Sequence, residues 1–191
     1  MADLLSAASI DVTRQRPVLV VLGGLPATGK STVARALAEQ TRTPYLRVDR
    51  IEQAIVAGSE LTHPVGPVGY AVAHQLAAEQ LALGLDVIVE CVNPLAVTRD
   101  GWVGTAERAG AAIVEVELIC SDPAVHRDRV EGRPSDVDGL RKPTWAEVRT
   151  REYEPWVRER VVLDTATMPV AGAVDVLTAK MATVDEGEDR A

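Results

Sequence analysis

The sequence contains no phenylalanine, and aromatic residues of all kinds make up only 3% of its 191 positions. Its two cysteines, Cys91 and Cys120, are too few for a disulfide scaffold or a thiolate zinc site. No apolar run approaches the ~20 residues of a membrane-spanning helix. Acidic Asp3 and Asp11 stand where a secretory signal would be basic. We therefore expect a cytoplasmic protein with no membrane partner and an aliphatic core.

Basic charge is also scarce. Lys and Arg together number 20 against 28 for Asp and Glu, which gives a formal net charge of −8. Proteins that bind nucleic acids depend on a basic surface that displaces counterions from the phosphates. The composition therefore argues against a general nucleic-acid binder.

Five short apolar segments of strand length alternate with segments of helical composition. The predicted strands are 18–22, 45–48, 86–91, 111–120 and 161–164. The predicted helices are 30–40, 50–57, 68–83, 97–109, 123–131, 144–153 and 170–182. This alternation predicts a three-layer α/β/α fold with a five-stranded, mainly parallel sheet. We expect one domain over residues 1–191, with a loosely ordered leader (1–16), a mobile lid (123–142) and an acidic tail (184–191).

One segment fits the phosphate-loop pattern G-x-x-x-x-G-K-[ST] at every fixed position, between a buried strand and a helix. Its glycines let backbone N–H groups surround a phosphate, and the helix N-terminus adds positive potential. We expect Lys30 to contact the β- and γ-phosphates, Ser31 to bind Mg²⁺ and Thr32 to hold the α-phosphate. The predicted nucleotide-binding residues are Gly24, Leu25, Pro26, Ala27, Thr28, Gly29, Lys30, Ser31, Thr32 and Arg129.

Several classes of protein share this loop, and other positions separate them. A G protein needs an Asn-Lys-x-Asp segment, but the single asparagine, Asn93, is followed by Pro94. A ring or motor ATPase needs an apolar strand that ends in Asp-Glu, whereas 86–91 supplies only Glu90. A kinase needs a carboxylate near the γ-phosphate and a cationic lid that excludes water. The sequence offers candidates for both.

Asp49 follows the second strand, at the edge of the sheet where ligands of such folds bind. We interpret it as the general base, with a helix N-cap as the alternative. Glu90 lies in an apolar strand and is a candidate for contact with the acceptor or with Mg²⁺-bound water; the alternative is a solvent-facing strand end. Arg129 and Arg133, four residues apart, would share a helix face and close over the phosphoryl group, or else form a solvated basic face.

The order of four segments resembles the small P-loop kinases. These segments are GGLPATGKST, the strand end VDR, VIVECVNP and HRDRVEGR. The family includes polynucleotide kinases, chloramphenicol phosphotransferases, gluconate kinases and zeta-toxin sugar-nucleotide kinases. The resemblance covers roughly residues 17–165.

The resemblance implies roles for individual residues. Asp49 matches the family's general base, and Arg129 and Arg133 match its pair of lid arginines. Glu90 and Arg99 match positions that contact the acceptor. The family's sheet order also places the phosphate-loop strand between the strands that carry Cys91 and Cys120, so we expect no disulfide.

The aromatic segment 144–156 is interpreted as a helix that packs on the sheet, with an acceptor wall of Trp145, Arg149 and Tyr153 as the alternative. Together these observations predict an ATP-dependent, Mg²⁺-requiring phosphotransferase that acts on a hydroxyl group of a small molecule. Its partners would be a nucleotide and a small hydroxyl-bearing substrate. The alternatives are a nucleic-acid end kinase and a nucleotide-binding sensor or regulatory NTPase.

Overall fold

The computed structural model describes residues 16–132, 139 and 141–184, which form a parallel sheet with helices on both faces. The strands are β1 (Val18–Gly23), β2 (Tyr45–Arg47), β3 (Val87–Glu90), β4 (Ala112–Ile119) and β5 (Val161–Asp164). The helices are α1 (Lys30–Thr41), α2 (Val48–Gly58), α3 (Val68–Ala82), α4 (Ala96–Arg108), α5 (Pro123–Gly132), α6 (Trp145–Arg149) and α7 (Val170–Thr183). This architecture confirms the predicted α/β/α fold.

Strand β1 lies at the centre of the sheet, whose order is β2-β3-β1-β4-β5. All six of its residues are buried, because helices cover both faces of the sheet. The parallel register aligns Leu22, Glu90 and Arg47 in one row near the carboxyl ends of their strands. Ligands of open α/β sheets bind beyond these ends. The sheet therefore brings the segments that follow β1, β2 and β3 to one edge.

Two apolar cores flank the sheet. Helices α1 and α7 cover one face with side chains that include Leu37 and Leu177. Helices α3 and α4 cover the other face, where Leu81 packs with Trp102. In the absence of phenylalanine these cores are largely aliphatic, and Trp102 is the largest of the fully buried side chains. Across the described ranges, no helix is both long enough and apolar enough to cross a bilayer.

Two element ends differ from the sequence prediction. Helix α2 begins at Val48, so Asp49 lies in the first helical turn rather than at the end of a strand. A carboxylate is favourable there because the N-terminus of a helix is positive. Helix α6 has the predicted capping box of Thr144 and Glu147 but ends at Arg149 instead of continuing to residue 153. It ends early because the chain beyond it is bound elsewhere, by Arg99 and by ion pairs with β4.

Both cysteines are free, and β1 separates the strands that precede them, as the resemblance implied. Burial raises the pKa of the Cys91 thiol to about 12, so this group stays protonated near neutral pH. Several predictions fall outside the described residues. Three of them concern ranges: the leader up to residue 15, residues 133–138 and 140 of the lid, and the tail from residue 185. The fourth is the role of Arg133, which lies within that part of the lid.

A first prediction concerns Gly24, at the start of the phosphate loop. Its φ is 143°, and an added Cβ would lie 2.3 Å from the carbonyl oxygen of Leu118. We expect Gly24→Ala to lower the free energy of unfolding by about 3 kcal/mol, because strain and overlap add together. Urea unfolding measures the change.

The matched control is Gly58→Ala, at the end of α2, where an added Cβ meets no atom within 4 Å. Its unfolding free energy should stay unchanged or rise by up to about 1 kcal/mol. Equal stability of the two variants would contradict the close approach of Gly24 to β4.

Candidate active site

An open cleft of about 1110 Å³ lies at the carboxyl edge of the sheet. Its walls are formed by the phosphate loop (residues 24–31), the first turn of α2, the end of β3 and the segments 141–143 and 165–170. This volume is of the size that accommodates a nucleotide-sized ligand together with a second small molecule. The predicted site residues can therefore be compared with one well-defined space.

The phosphate loop presents the uncapped N-terminus of α1 to this cleft. Gly29 precedes the helix with φ 91° and no side chain caps the first turn. The Thr32 and Val33 N–H groups both donate to the Gly29 carbonyl, and the positive potential of the helix N-terminus favours an anion beside it. Lys30 is buried, and its Nζ donates to the carbonyl oxygen of Leu25 at 2.8 Å. The lysine thus lies across its own loop, beside the helix terminus.

Glu90 is a buried carboxylate, only 6% exposed, at the end of β3. It accepts a hydrogen bond from the Ser31 hydroxyl at 2.6 Å and another from the Tyr45 hydroxyl. The Arg47 guanidinium lies 3.5 Å away. A buried carboxylate is costly unless donors surround it, and here the donors come from α1 and β2. Burial, and after it the Glu90 charge, raises the pKa of Tyr45, which keeps this hydroxyl a donor.

Asp49 is oriented by the same arginine. Arg47 donates to both carboxylate oxygens of Asp49, from Nη2 at 2.7 Å and from Nε at 3.1 Å. The Asp49 side chain is 37% exposed and lines the cleft. Paired donors of this kind fix direction as well as distance. One buried guanidinium therefore holds two carboxylates, Asp49 and Glu90, in place.

Arg47 and Tyr45 were not predicted as site residues from the sequence. One feature of the sequence could have indicated them. Residues 45 and 47 point to the same side of a strand and are the polar positions just before Asp49. Recognising it required the pairing of Arg47 with Glu90 between β2 and β3.

Oxygen atoms of Ser31, Asp49 and Glu90 line the same cleft, and the first and last are in direct contact. Mg²⁺ prefers hard oxygen ligands and is usually held by one or two carboxylates together with substrate phosphates. Among the described residues there is no group of three or more His, Cys, Asp or Glu that could hold a metal by itself. The residues present thus fit a Mg²⁺ ion that arrives with a nucleotide.

Arg129 of α5 lies beside the loop that follows β5. Its Nη1 donates to the Thr165 hydroxyl at 2.7 Å and its Nη2 to the Thr165 carbonyl at 3.0 Å. The Thr165 hydroxyl in turn donates to the carbonyl oxygen of Thr28 at 2.9 Å. Arg129 therefore lies at the side of the cleft, and hydrogen bonds through Thr165 connect it to the phosphate loop.

Helix α5 also packs directly on the phosphate loop. The His126 ring nitrogen Nε2 is 2.8 Å from the carbonyl oxygen of Pro26. Val130 packs with Ala27 and with Val148 of α6. A displacement of this helix would therefore disturb the loop itself.

Arg99 does not lie in the cleft, which is a correction to the role that the resemblance implied. It is 2% exposed, and its guanidinium donates to four backbone carbonyls. These are the carbonyls of Asn93, Pro94, Glu154 and Pro155. The Trp156 ring lies 4.3 Å from it. Arg99 therefore joins the β3–α4 turn to the segment before β5, a structural role.

The alternative acceptor wall of Trp145, Arg149 and Tyr153 is also absent from the cleft lining. Trp145 instead packs edge-on against His126, with ring centroids 5.2 Å apart. The Tyr153 ring lies 5.5 Å from the Arg99 guanidinium. Trp145 therefore packs on α5, and Tyr153 lies beyond the end of α6, so the prediction of one helix that packs these aromatic side chains on the sheet was wrong.

The chain is similar to several known proteins. A family model described as an AAA domain matches residues 19–155. A candidate kinase from Chloroflexus aurantiacus is 22% identical, with a TM-score of 0.73, and the match covers 89% of this chain and 98% of that one. A gluconokinase from Sinorhizobium meliloti is 23% identical with a TM-score of 0.60, over 91% and 96% of the two chains.

The APS kinase of Mycobacterium tuberculosis, in complex with AMPPNP and APS, is 17% identical. Its TM-score is 0.65, and the match covers 87% of this chain and 98% of that one. Comparison with curated proteins finds no match. This chain therefore shares its fold with solved kinases, as the resemblance implied.

A second prediction concerns the Glu147 carboxyl in the capping box of α6. Hydrogen bonds, first from Arg141 and then from Thr144, lower its pKa to about 2. The group therefore stabilises the fold above its ordinary pKa of about 4.3, and this contribution is lost as the pH falls through about 2. NMR titration of the Glu side-chain carboxyls should show a carboxyl that titrates near that value. In Arg141→Met its pKa should rise, whereas the neighbouring Arg149→Met should leave it unchanged. A wild-type Glu147 that titrates at its ordinary pKa would contradict the contact.

Proposed function

Since the chain belongs to the AAA domain family, with a fold shared by solved P-loop kinases, we propose that it transfers the γ-phosphoryl group of ATP to a hydroxyl group of a small molecule. The observation that carries this proposal is the position of Asp49. Its carboxylate lines the same cleft as the phosphate loop, and Arg47 holds it there by two hydrogen bonds. A kinase requires such a carboxylate near the γ-phosphate.

The phosphate loop would bind the nucleotide. The N–H groups of the loop and of the first turn of α1 donate to the phosphates, and Lys30 exchanges the Leu25 carbonyl for the β- and γ-phosphates. Ser31 and Glu90 would hold the Mg²⁺ that accompanies the nucleotide, and this ion neutralises charge on the phosphates. Arg129, beside Thr165, adds positive charge at the edge of the cleft.

Asp49 would act on the acceptor. It accepts the proton of the acceptor hydroxyl, whose oxygen forms a bond to the γ-phosphorus as the bond to the β–γ bridging oxygen breaks and ADP leaves. Arg47 keeps both Asp49 oxygens in fixed directions, so little reorganisation is needed when the acceptor binds. A lid that includes Arg129 would exclude water, which would otherwise compete with the acceptor hydroxyl.

Two features of the chain bear on the alternatives. A net charge of −8 counts against a nucleic-acid end kinase, since a nucleic-acid substrate would be repelled at long range. A sensor of nucleotide would have no need of an oriented carboxylate beside the phosphate loop. The small-molecule kinase accounts for Asp49, Glu90 and Arg47 together.

A third prediction tests this function with γ-labelled ATP, Mg²⁺ and a deproteinised small-molecule extract. The wild-type protein should transfer label to an organic acceptor. In Asp49→Asn the rate of transfer should fall about 10²–10⁴-fold, because the general base is lost. The dissociation constant for ATP should change less than about threefold, since Asp49 is not among the nucleotide-binding residues.

The matched control is Asp128→Asn, an exposed position on α5 that does not line the cleft. Its transfer rate should equal that of the wild type. Release of label only as inorganic phosphate, at equal rates in wild type and Asp49→Asn, would contradict the kinase proposal and favour a regulatory NTPase.

A further inference from the structure

We propose that the acceptor carries an oxyanion group, either a carboxylate or a phosphate or sulfate ester, and that Arg141 and Arg151 bind this group at the outer part of the cleft. This inference rests on the proposed function. It names the chemical class of the acceptor, which the phosphate loop and Asp49 leave open.

The first observation is the charge of the cleft. Among the charged side chains of the described residues that line it, three are acidic, namely Asp49, Glu52 and Glu90, and seven are basic. The basic ones are Lys30, Arg35, Arg47, Arg129, Arg141, Lys142 and Arg151. A nucleoside triphosphate with Mg²⁺ brings only about two net negative charges. The lining of an otherwise acidic protein is therefore more positive than the nucleotide alone requires.

The second observation is how the basic side chains are distributed. Arg47 is bound to Asp49 and Glu90, and Lys30 and Arg129 lie beside the phosphate loop and Thr165. Arg141 and Arg151 lie elsewhere. They line both the cleft and a smaller hollow of about 130 Å³ that shares Pro26 and Pro143 with it.

This hollow, of about 130 Å³, has room for a single anionic group. Among the described residues that line it, Glu147 is the one acidic residue, and its carboxylate is occupied by Arg141 and by the backbone and hydroxyl of Thr144. Arg141 uses only part of its fork of donors in that contact, and Glu147 fixes the guanidinium in place. Glu147 receives one N–H from each terminal nitrogen of Arg141, so a second oxyanion would bind to the N–H groups on the other sides of the guanidinium.

The third observation indicates the direction in which the acceptor would extend. Asp49 and Glu52 are three residues apart on α2, so they lie on one face of this helix, about one turn apart. Arg151 interacts electrostatically with Glu52, and all three residues line the same cleft. An acceptor with its hydroxyl at Asp49 and its oxyanion at Arg151 would therefore lie along this face of α2.

The test separates acceptors by charge before phosphorylation. A deproteinised small-molecule extract is passed over a strong anion-exchange resin, and each fraction is incubated with the full-length protein, γ-labelled ATP and Mg²⁺. We expect acceptor activity in the fractions that salt elutes. Acceptor activity in the flow-through would overturn this inference and leave the proposed function intact. Absence of label transfer in every fraction would overturn the proposed function, and this inference with it.

Variants then test the two arginines with the active fraction. In Arg151→Met and in Arg141→Met the apparent KM for the acceptor should rise about tenfold or more, since each removes a charged hydrogen bond to the ligand. Arg149→Met is the matched control, because Arg149 is exposed on α6 and does not line the cleft. Its KM should stay within about twofold of the wild type. Arg141 and Arg151 are exposed, so replacing them leaves the packing of the core unchanged. Circular dichroism verifies that each variant is folded. An equal KM in Arg151→Met, Arg141→Met and Arg149→Met would overturn the assignment.

Discussion

The buried carboxylate of Glu90 is the group on which the geometry of the site depends. A carboxylate at 6% exposure must be surrounded by donors, and the donors here are Ser31, Tyr45 and Arg47. Ser31 belongs to α1, whereas Tyr45 and Arg47 belong to β2. Ser31 is the last residue of the phosphate loop. Arg47, which contacts Glu90, also donates hydrogen bonds to Asp49 and thereby fixes the position of that carboxylate. The phosphate loop and Asp49 are therefore positioned relative to one another by one buried charge.

A second set of contacts connects the phosphate loop to the elements that flank the cleft. His126 and Val130 of α5 contact Pro26 and Ala27, and Thr165 bridges Arg129 to the loop. The loop is thus supported from both sides, by β3 through Glu90 and by α5. In this arrangement, binding of phosphate at the loop and movement of α5, which carries Arg129, would act on the same few residues. Such coupling is what a kinase needs in order to exclude water when its substrates are bound.

The sequence predicted the features that depend on local pattern. The order of strands and helices follows from apolar periodicity, and the phosphate loop is defined by consecutive residues. The parts that it could not predict depend on contacts between distant segments. Arg47 lies beside Glu90 because of the register of β2 against β3. Arg99 donates hydrogen bonds to the carbonyls of Glu154 and Pro155, which are 55 and 56 residues away in the sequence. Likewise, α6 ends early because its continuation is bound to β4 and α4 by ion pairs of Arg158. A single sequence does not reveal such pairings.

The most direct test of this account is a calorimetric titration of a non-hydrolysable ATP analogue, with and without Mg²⁺, into wild type and Glu90→Gln. If Glu90 holds the Mg²⁺ that accompanies the nucleotide and orients Ser31, the variant should bind about 10–100-fold more weakly in the presence of Mg²⁺. Without Mg²⁺ the two proteins should bind the analogue with similar affinity. Equal affinity and equal Mg²⁺ dependence in both proteins would contradict the central place of Glu90 in the site.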